Sequence, residues 1–443
     1  MKSKIGPLLF VLVVIAGLGY WYWQYQTADR TVPEADTRLA ELLPESQFIN
    51  ASTSEDFYRE QITKQPDVVK NYIALSQLMM QRARETADEQ TYIPQAQDLL
   101  EEALLRDPDN YYAHVLNASL QNTLHQFEKG KALSEELIAE YPNHAYNYGT
   151  LVDALVELGE YDRAVEMSDR MLSIKPSLAS YARASYLREL HGDTDGAIEA
   201  MRMAADAGVS NTAERSWALY HLGNLHLAEN KPDTAAFIFN GILEEMPTYT
   251  NALAGLAHVH TVKGEYDEAL DLLNEAYAST PSEAYLEQML ETYQLTGNTD
   301  QIKATLPKIE EAFDGYFAMG ENAKMEYADF LADYDRKLDE ALQLAEEEYN
   351  RRPGHLHALE TYAWTLHKNN RSAEAIPYIE KAMRLNTGDA MVHYRAGAIY
   401  QGAGQPHKAA RQFQQALDAN LHIESPSTAQ EARALLHSLK SNA

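Results

Sequence analysis

The sequence predicts an all-α protein in which a single transmembrane helix precedes a stack of about ten helix pairs. Three observations lead there. Residues 5–23 form an uncharged run of 19. From Val69 to about Leu421 an amphipathic pattern returns with a period of about 34 residues. Within that pattern alanine recurs at one fixed place: Ala164, Ala197, Ala235, Ala269, Ala341, Ala375 and Ala409.

The first element is the apolar run itself. At about 1.5 Å rise per residue, a helix of that length spans roughly the 30 Å of bilayer hydrocarbon. Lys2 and Lys4 precede it, and Tyr20, Trp21, Tyr22, Trp23 and Tyr25 close it. Aromatic rings favour the lipid–water boundary and lysine the cytoplasmic side, so residues 1–26 read as an anchor with the rest of the chain extracytoplasmic. A cleavable signal peptide has the same basic start and apolar middle, with Gly17-Leu18-Gly19 as a possible cleavage site, and gives a secreted product instead. Residues 27–68 are polar, contain Pro33 and Pro44, and read as a tether with N-terminal capping helices, one of them over 34–43.

The repeating part covers 69–424. One copy reads Tyr148, Leu151, Leu155, then Gly159-Glu160-Tyr161, Ala164 and Pro176. Another reads Leu253, Leu256, Ala257, then Gly264-Glu265-Tyr266, Ala269, Leu273, Ala276 and Pro281. Apolar residues at i, i+3, i+4 and i+7 give the first helix a buried face. Glycine ends it, a second amphipathic run follows, and proline stops that one. Such a pair is too small to bury its own apolar surface, so stability must come from stacking on its neighbours. Residues 425–443 read as a helix, Ser427 to Leu439, capping the stack.

The pattern resembles tetratricopeptide (TPR) repeats, with large–Leu–small in the first helix, alanine at the close crossing in the second, and the terminal proline. Copies begin near Val69, Tyr111, Ala145, Leu178, Ser216, Thr250, Glu283, Asn322, Leu356 and Ala390. The resemblance implies a right-handed superhelix. Four irregularities are expected: extra residues between helices at 84–92, Asn117 where Leu is usual, Ile302 in place of the small alanine, and a second helix broken at Pro307. Extended loops are expected at 208–215 and 313–321.

Composition limits the chemistry. The 443 residues carry 66 acidic and 37 basic side chains, a net charge of −29, which disfavours nucleic acid and fits neutral or basic partners or a saline habitat. There is no cysteine, so disulfides, thiolate catalysis and cysteine metal sites are excluded. No phosphate loop, nucleophile elbow, dinucleotide-binding turn or zinc-protease helix is present. His258 and His260, like His355 and His357, are two apart and diverge on a helix; His221 and His226 are five apart. No cofactor, metal site or catalytic residue is expected.

TPR proteins line their concave face with the first helices of the pairs, and the resemblance implies which positions point into it. The partner-binding groove then comprises Arg183, Tyr186, Trp217, Tyr220, His221, Asn224, His258, Phe330, Tyr334, His357, Trp364, His367, Tyr394 and Arg395. Trp217 and Trp364 are the tryptophans outside the apolar run, and large aromatics make good interface anchors. Acidic groove positions (Asp153, Glu157, Glu189, Glu287, Glu291, Glu326, Asp333, Glu360) outnumber the basic ones, Arg183, Lys368 and Arg395. The Lys/Arg/Asn set of the family's peptide-carboxylate clamp is absent. The expected function is a non-enzymatic scaffold or assembly factor of a bacterial envelope, binding a neutral or basic peptide or helical segment of another protein. A passive spacer, or an accessory subunit of an envelope enzyme complex such as a glycosyltransferase or cytochrome-maturation system, stands as the alternative.

Overall fold

The computed structural model describes residues 51–441 apart from 87 and 386. The expected transmembrane helix and the helix over 34–43 lie outside the described residues. Among the described residues no helix is long and apolar enough to cross a membrane.

The described residues form helices and no strand. A leading helix α1 (Ala51–Lys64) is followed by ten pairs: α2 (Val69–Thr86) with α3 (Glu89–Arg106), α4 (Tyr111–Thr123) with α5 (Phe127–Glu140), α6 (Ala145–Glu157) with α7 (Tyr161–Ile174), α8 (Leu178–Leu190) with α9 (Thr194–Ala207), and α10 (Ala213–Ala228) with α11 (Pro232–Glu245). Then come α12 (Thr250–Lys263) with α13 (Tyr266–Ser279), α14 (Glu283–Thr296) with α15 (Thr299–Ala318), α16 (Lys324–Asp333) with α17 (Leu338–Arg351), α18 (Leu356–Lys368) with α19 (Ser372–Ala382), and α20 (Ala390–Gly402) with α21 (Pro406–Asp418). The short α22 (Leu421–Glu424) and the final α23 (Pro426–Ser441) close the chain.

Each pair turns through one backbone device. From the second pair onward, the turn carries a residue with positive φ: His125, Gly159, Gly192, Asn230, Gly264, Gly297, Asp335, Asn370 and Gly404. The next amide reaches back to the carbonyl five residues earlier, as Glu160 to Leu155 at 2.8 Å and Arg371 to Leu366 at 2.9 Å. This is the Schellman closure, which satisfies carbonyls at the helix end. Where glycine is missing, Asn, Asp or His takes its place, the side chains best tolerated in the left-handed region.

The two helices of a pair bury different surfaces. The first is enclosed: α6 buries nine residues between Asn147 and Val156. The second buries one stripe: α7 uses Tyr161, Ala164, Ser168 and Met171, spaced to share a face. All seven alanines of the recurring series are fully buried, because only a methyl fits where the paired helices touch. Phe239 on α11 is wholly buried; a Cβ on Gly223 or Gly255 would come within 2.4 or 2.8 Å of its ring. Those glycines let the ring lie between two successive inner helices.

The expected interruptions are absorbed into helix. The extra residues of the first pair lengthen α2 and α3 to 18 residues each. Pro307 does not break α15, which runs through it for 20 residues. Its missing hydrogen bond falls on an exposed side, while Thr305, Leu306 and Ile309 hold the helix to the core. Helix also covers 313–318 of the loop expected at 313–321, and the loop at 208–215 shortens to 208–212.

Successive superhelical turns touch along a seam. Asn322 N donates to Leu124 O at 3.2 Å, Arg351 Nη1 to His125 O at 3.0 Å, and Leu356 N to the Tyr161 hydroxyl at 3.0 Å. Asn420 Nδ2 reaches Ala228 O at 3.1 Å. The turn inside each of these early pairs therefore rests on a connection between pairs about five positions later.

Candidate functional site

The expected groove residues lie on, or at the end of, the first helices of their pairs, and they differ in burial. On α6, α8 and α10, Tyr146, Tyr186 and Trp217 are 42%, 39% and 40% exposed, unusual for large apolar side chains. Trp217 packs on His221, ring centres 4.2 Å apart, and His221 on Tyr220 at 5.4 Å. Burial holds His221 down at about 4, so its ring is neutral at physiological pH. Burial pushes the Tyr220 phenol up, opposed by a hydrogen bond with Asn224. Arg183 lies beneath the exposed tyrosines, bonded to both Asp153 oxygens at 2.8 and 2.6 Å and to Gly149 O at 3.1 Å. Its fork is thus filled by α6.

The inner helices α16, α18 and α20 carry an acidic cluster that is internally wired. Arg395 on α20 is buried and bonds both oxygens of Asp329 at 2.8 and 2.9 Å, Glu360 at 3.1 Å and Asp333 at 3.1 Å. Trp364, 6% exposed, donates its indole N–H to Asp333 at 2.7 Å. The Arg395 guanidinium and the Lys368 ammonium lie 5.4 and 5.2 Å from its ring centre, and His367 stacks at 5.1 Å. Phe330 and Tyr394 are also buried, Phe330 among the rings of Phe313, Tyr327 and Tyr334. The expectation of Trp364, Phe330, Tyr394 and Arg395 as open contact residues needs correction. A buried tryptophan must satisfy its N–H and an arginine its charge, and here the cluster itself does both.

Glu287 on α14 differs from its neighbours. Its side chain is solvent-accessible although protein surrounds it on most sides. Burial, then Glu283, Asp329 and Asp333, push its carboxyl up to about 8. Tyr334 is driven up by burial and by Glu287 and Asp333. Carboxyl groups thus crowd here beyond what Arg395 pairs with, and Glu287 keeps its proton at neutral pH.

His258, another expected groove residue, meets the chain's own C-terminal segment. Its Nε2 lies 2.7 Å from Ile423 O, and Ile423 is buried beside Leu227, Phe239 and Leu256. Glu291 accepts from Ser427 N at 2.8 Å and its hydroxyl at 2.7 Å. Part of the inner surface of α12 and α14 is thus covered from within.

The sequence reading found no grouped histidines, whereas the fold places His357, Glu360 and Asp389 with ligand-type atoms within 4.8 Å of one another. The i, i+3 spacing of His357 and Glu360 was the local signal; Asp389 arrives from the next connection. Burial works against the His357 charge, yet Glu360, then Asp389 and Glu157, hold it up at about 9. With Glu360 also bound to Arg395, the group works as an ion-pair network.

Sequence models of the tetratricopeptide repeat match residues 226–291 and 356–389. Among curated proteins, cellulose synthase operon protein C of Pseudomonas fluorescens (strain SBW25) is 25% identical over 168 residues, covering 36% of this chain and 13% of that protein. The chain thus spans a small part of that relative. Among solved structures, a tetratricopeptide repeat protein from Parabacteroides merdae ATCC 43184 is 18% identical, with 59% of this chain and 98% of that one covered and a TM-score of 0.35. The human IFIT1 dimer with PPP-AAAA is 14% identical, with 72% and 73% covered and a TM-score of 0.47. The repeat matches fall on α10–α14 and on the pair α18–α19, and with the shared turn and alanine register the chain is an all-helical protein carrying tetratricopeptide repeats.

Proposed function

We propose that this chain is a membrane-anchored binding scaffold whose inner groove takes a polypeptide segment with basic and apolar side chains. The observation that carries it is the exposed strip Tyr146, Tyr186 and Trp217 on three successive inner helices, in a chain with 66 acidic against 37 basic side chains. Exposed aromatics bury much area at small entropic cost, and surplus negative charge selects cations. The apolar run at 5–23, with Lys2 and Lys4 before it, supports an anchor that leaves the groove extracytoplasmic. Binding needs no chemistry from the chain, so the proposed role is non-enzymatic.

A second, narrower reading is favoured by the partial likeness to cellulose synthase operon protein C: an accessory subunit of an envelope polysaccharide complex. Both readings meet one experiment. Purified full-length protein is titrated with libraries of fluorescent basic, neutral and acidic peptides, then with Tyr186→Ala/Trp217→Ala. The groove reading expects saturable binding of basic–apolar peptides, weakened about tenfold or more in the variant. Equal binding by the variant, or a preference for acidic peptides, rejects it. Protease accessibility in spheroplasts tests the topology: protection of the repeats from added protease contradicts the extracytoplasmic placement.

A further inference from the structure

A second site lies at the seam, away from the aromatic strip. A cavity of about 280 Å³ opens where the start of α3 and the α4–α5 turn meet the end of α15 and the start of α16. Glu89, Glu283, Glu321 and Glu326 line it, with His125 and Tyr316. Four carboxylates from three parts of the chain share this small space.

Their charges are not matched. The Tyr316 hydroxyl donates to Glu283, and His125 Nε2 is 3.7 Å from Glu321 Oε1. The Glu321 side chain is only 9% exposed, and its Oε2 has no hydrogen-bond partner. One oxygen of Glu326 and Nδ1 of His125 are likewise buried without partners. Leaving several such atoms unsatisfied at one cavity is costly, and a ligand carrying N–H donors would remove the cost. Burial, then Glu89, Glu326 and Glu283, push Glu321 up to about 8, as expected where positive charge is missing.

The spacing argues for the kind of cation. Among the described residues, only His357, Glu360 and Asp389 bring three ligand-type atoms within 4.8 Å of one another. The cavity carboxylates surround a space instead of converging on a point, as inner-sphere metal ligands must. A planar guanidinium or an alkylammonium presents several donors across such a space.

We propose that this cavity binds an alkylammonium or guanidinium group, with Glu321 as its central acceptor. The cation comes either from a small amine or from a Lys or Arg side chain of a bound polypeptide. The lining of this cavity includes none of the strip residues Tyr146, Tyr186 and Trp217, so the site goes beyond the groove reading.

The test is calorimetric titration of the full-length protein with 1,4-diaminobutane, arginine amide and a capped Gly-Arg-Gly peptide. Citrulline amide serves as the uncharged control and calcium as the metal control. Saturable binding is expected for the cations and not for citrulline amide. Glu321→Gln should weaken it about tenfold or more while keeping the helical circular dichroism, since it removes the carboxylate that a bound cation would hold ionised. Tighter binding of the free amines assigns a small-molecule ligand; tighter binding of the capped peptide assigns a partner's side chain. No saturable binding, equal binding by Glu321→Gln, or preferential binding of calcium overturns the proposal. Loss of the cation's binding in Trp217→Ala also overturns it, because the groove would then be the site.

Discussion

The guanidinium of Arg352 lies 3.0 Å from the carboxylate of Glu157, although 195 residues separate them in the chain. The same guanidinium bonds Glu348 at 3.0 Å, and both Arg352 and Glu348 are almost wholly buried. Nearby, Tyr161 receives Leu356 N, and Gly159 lies against Gly354. A repeat stack needs only neighbour contacts, so these long-range bonds add something else. They hold one superhelical turn against the next.

Replacing Arg352 by alanine should leave Glu348 and Glu157 without their shared cation. Removing one partner of a buried pair costs about 3–5 kcal/mol, so a large fall in urea midpoint is expected. Hydrogen exchange should rise at 157–161 and at 352–356 together. An unchanged midpoint would mean that the seam does not bear on stability.

Gly159 and Gly264 offer a matched comparison. Both have positive φ, +75° and +80°. A Cβ on Gly159 would meet Gly354 C at 2.1 Å, whereas one on Gly264 meets nothing within 4 Å. Gly264→Ala should cost only the left-handed strain, about 1–2 kcal/mol. Gly159→Ala should cost more and expand the radius of gyration in solution scattering, because its neighbour across the seam is backbone and cannot swing away. Equal effects from the two would deny the seam a role in the superhelix.

The helix pairs were legible because their causes are local. Amphipathic spacing, the Schellman turn and the buried methyl each occupy a few residues, so Ala164 or Gly264 can be read alone. The starts of two inner helices differ from expectation, Ala213 for Ser216 and Lys324 for Asn322, where long connections blur the period. Pro307 misled because its cost depends on whether the lost bond faces water. The groove was half legible: position in the pair put Trp217 and Trp364 on first helices, but gave no sign that Arg395 and Asp333 would enclose Trp364. The acidic cavity was not legible, since Glu89 and Glu321 meet only through the superhelical pitch.

The raised carboxylates predict an unusual alkaline limb. An unfolded glutamate titrates near 4.5, but Glu321, its side chain only 9% exposed, is held up to about 8, chiefly by burial. Between those values the folded protein keeps protons that the unfolded chain has lost, so stability falls as pH rises toward 8. His357, raised from 6.5 to about 9, acts in the same direction above 6.5. Thermal midpoints should therefore decline from pH 6.5 to pH 8.5, and Glu321→Gln should flatten the decline. A midpoint that climbs over that range would show the Glu321 carboxyl ionising freely.

The two inner tryptophans should separate binding from stability. Trp217 is 40% exposed, and its ring rests on His221 alone among the described aromatic contacts. Trp217→Ala should leave the urea midpoint nearly unchanged, as exposed substitutions usually do, while lowering affinity for a groove-bound peptide. Trp364 is 6% exposed and bonded to Asp333, with cations on its ring. Trp364→Ala should cost about 3–5 kcal/mol through the cavity it leaves. It also takes a donor from Asp333 and a ring from Arg395, so its effect should be non-additive with Arg395→Met in a double-mutant cycle. If Trp217→Ala instead unfolds the protein and Trp364→Ala does not, the anchor and the strut have been assigned the wrong way round.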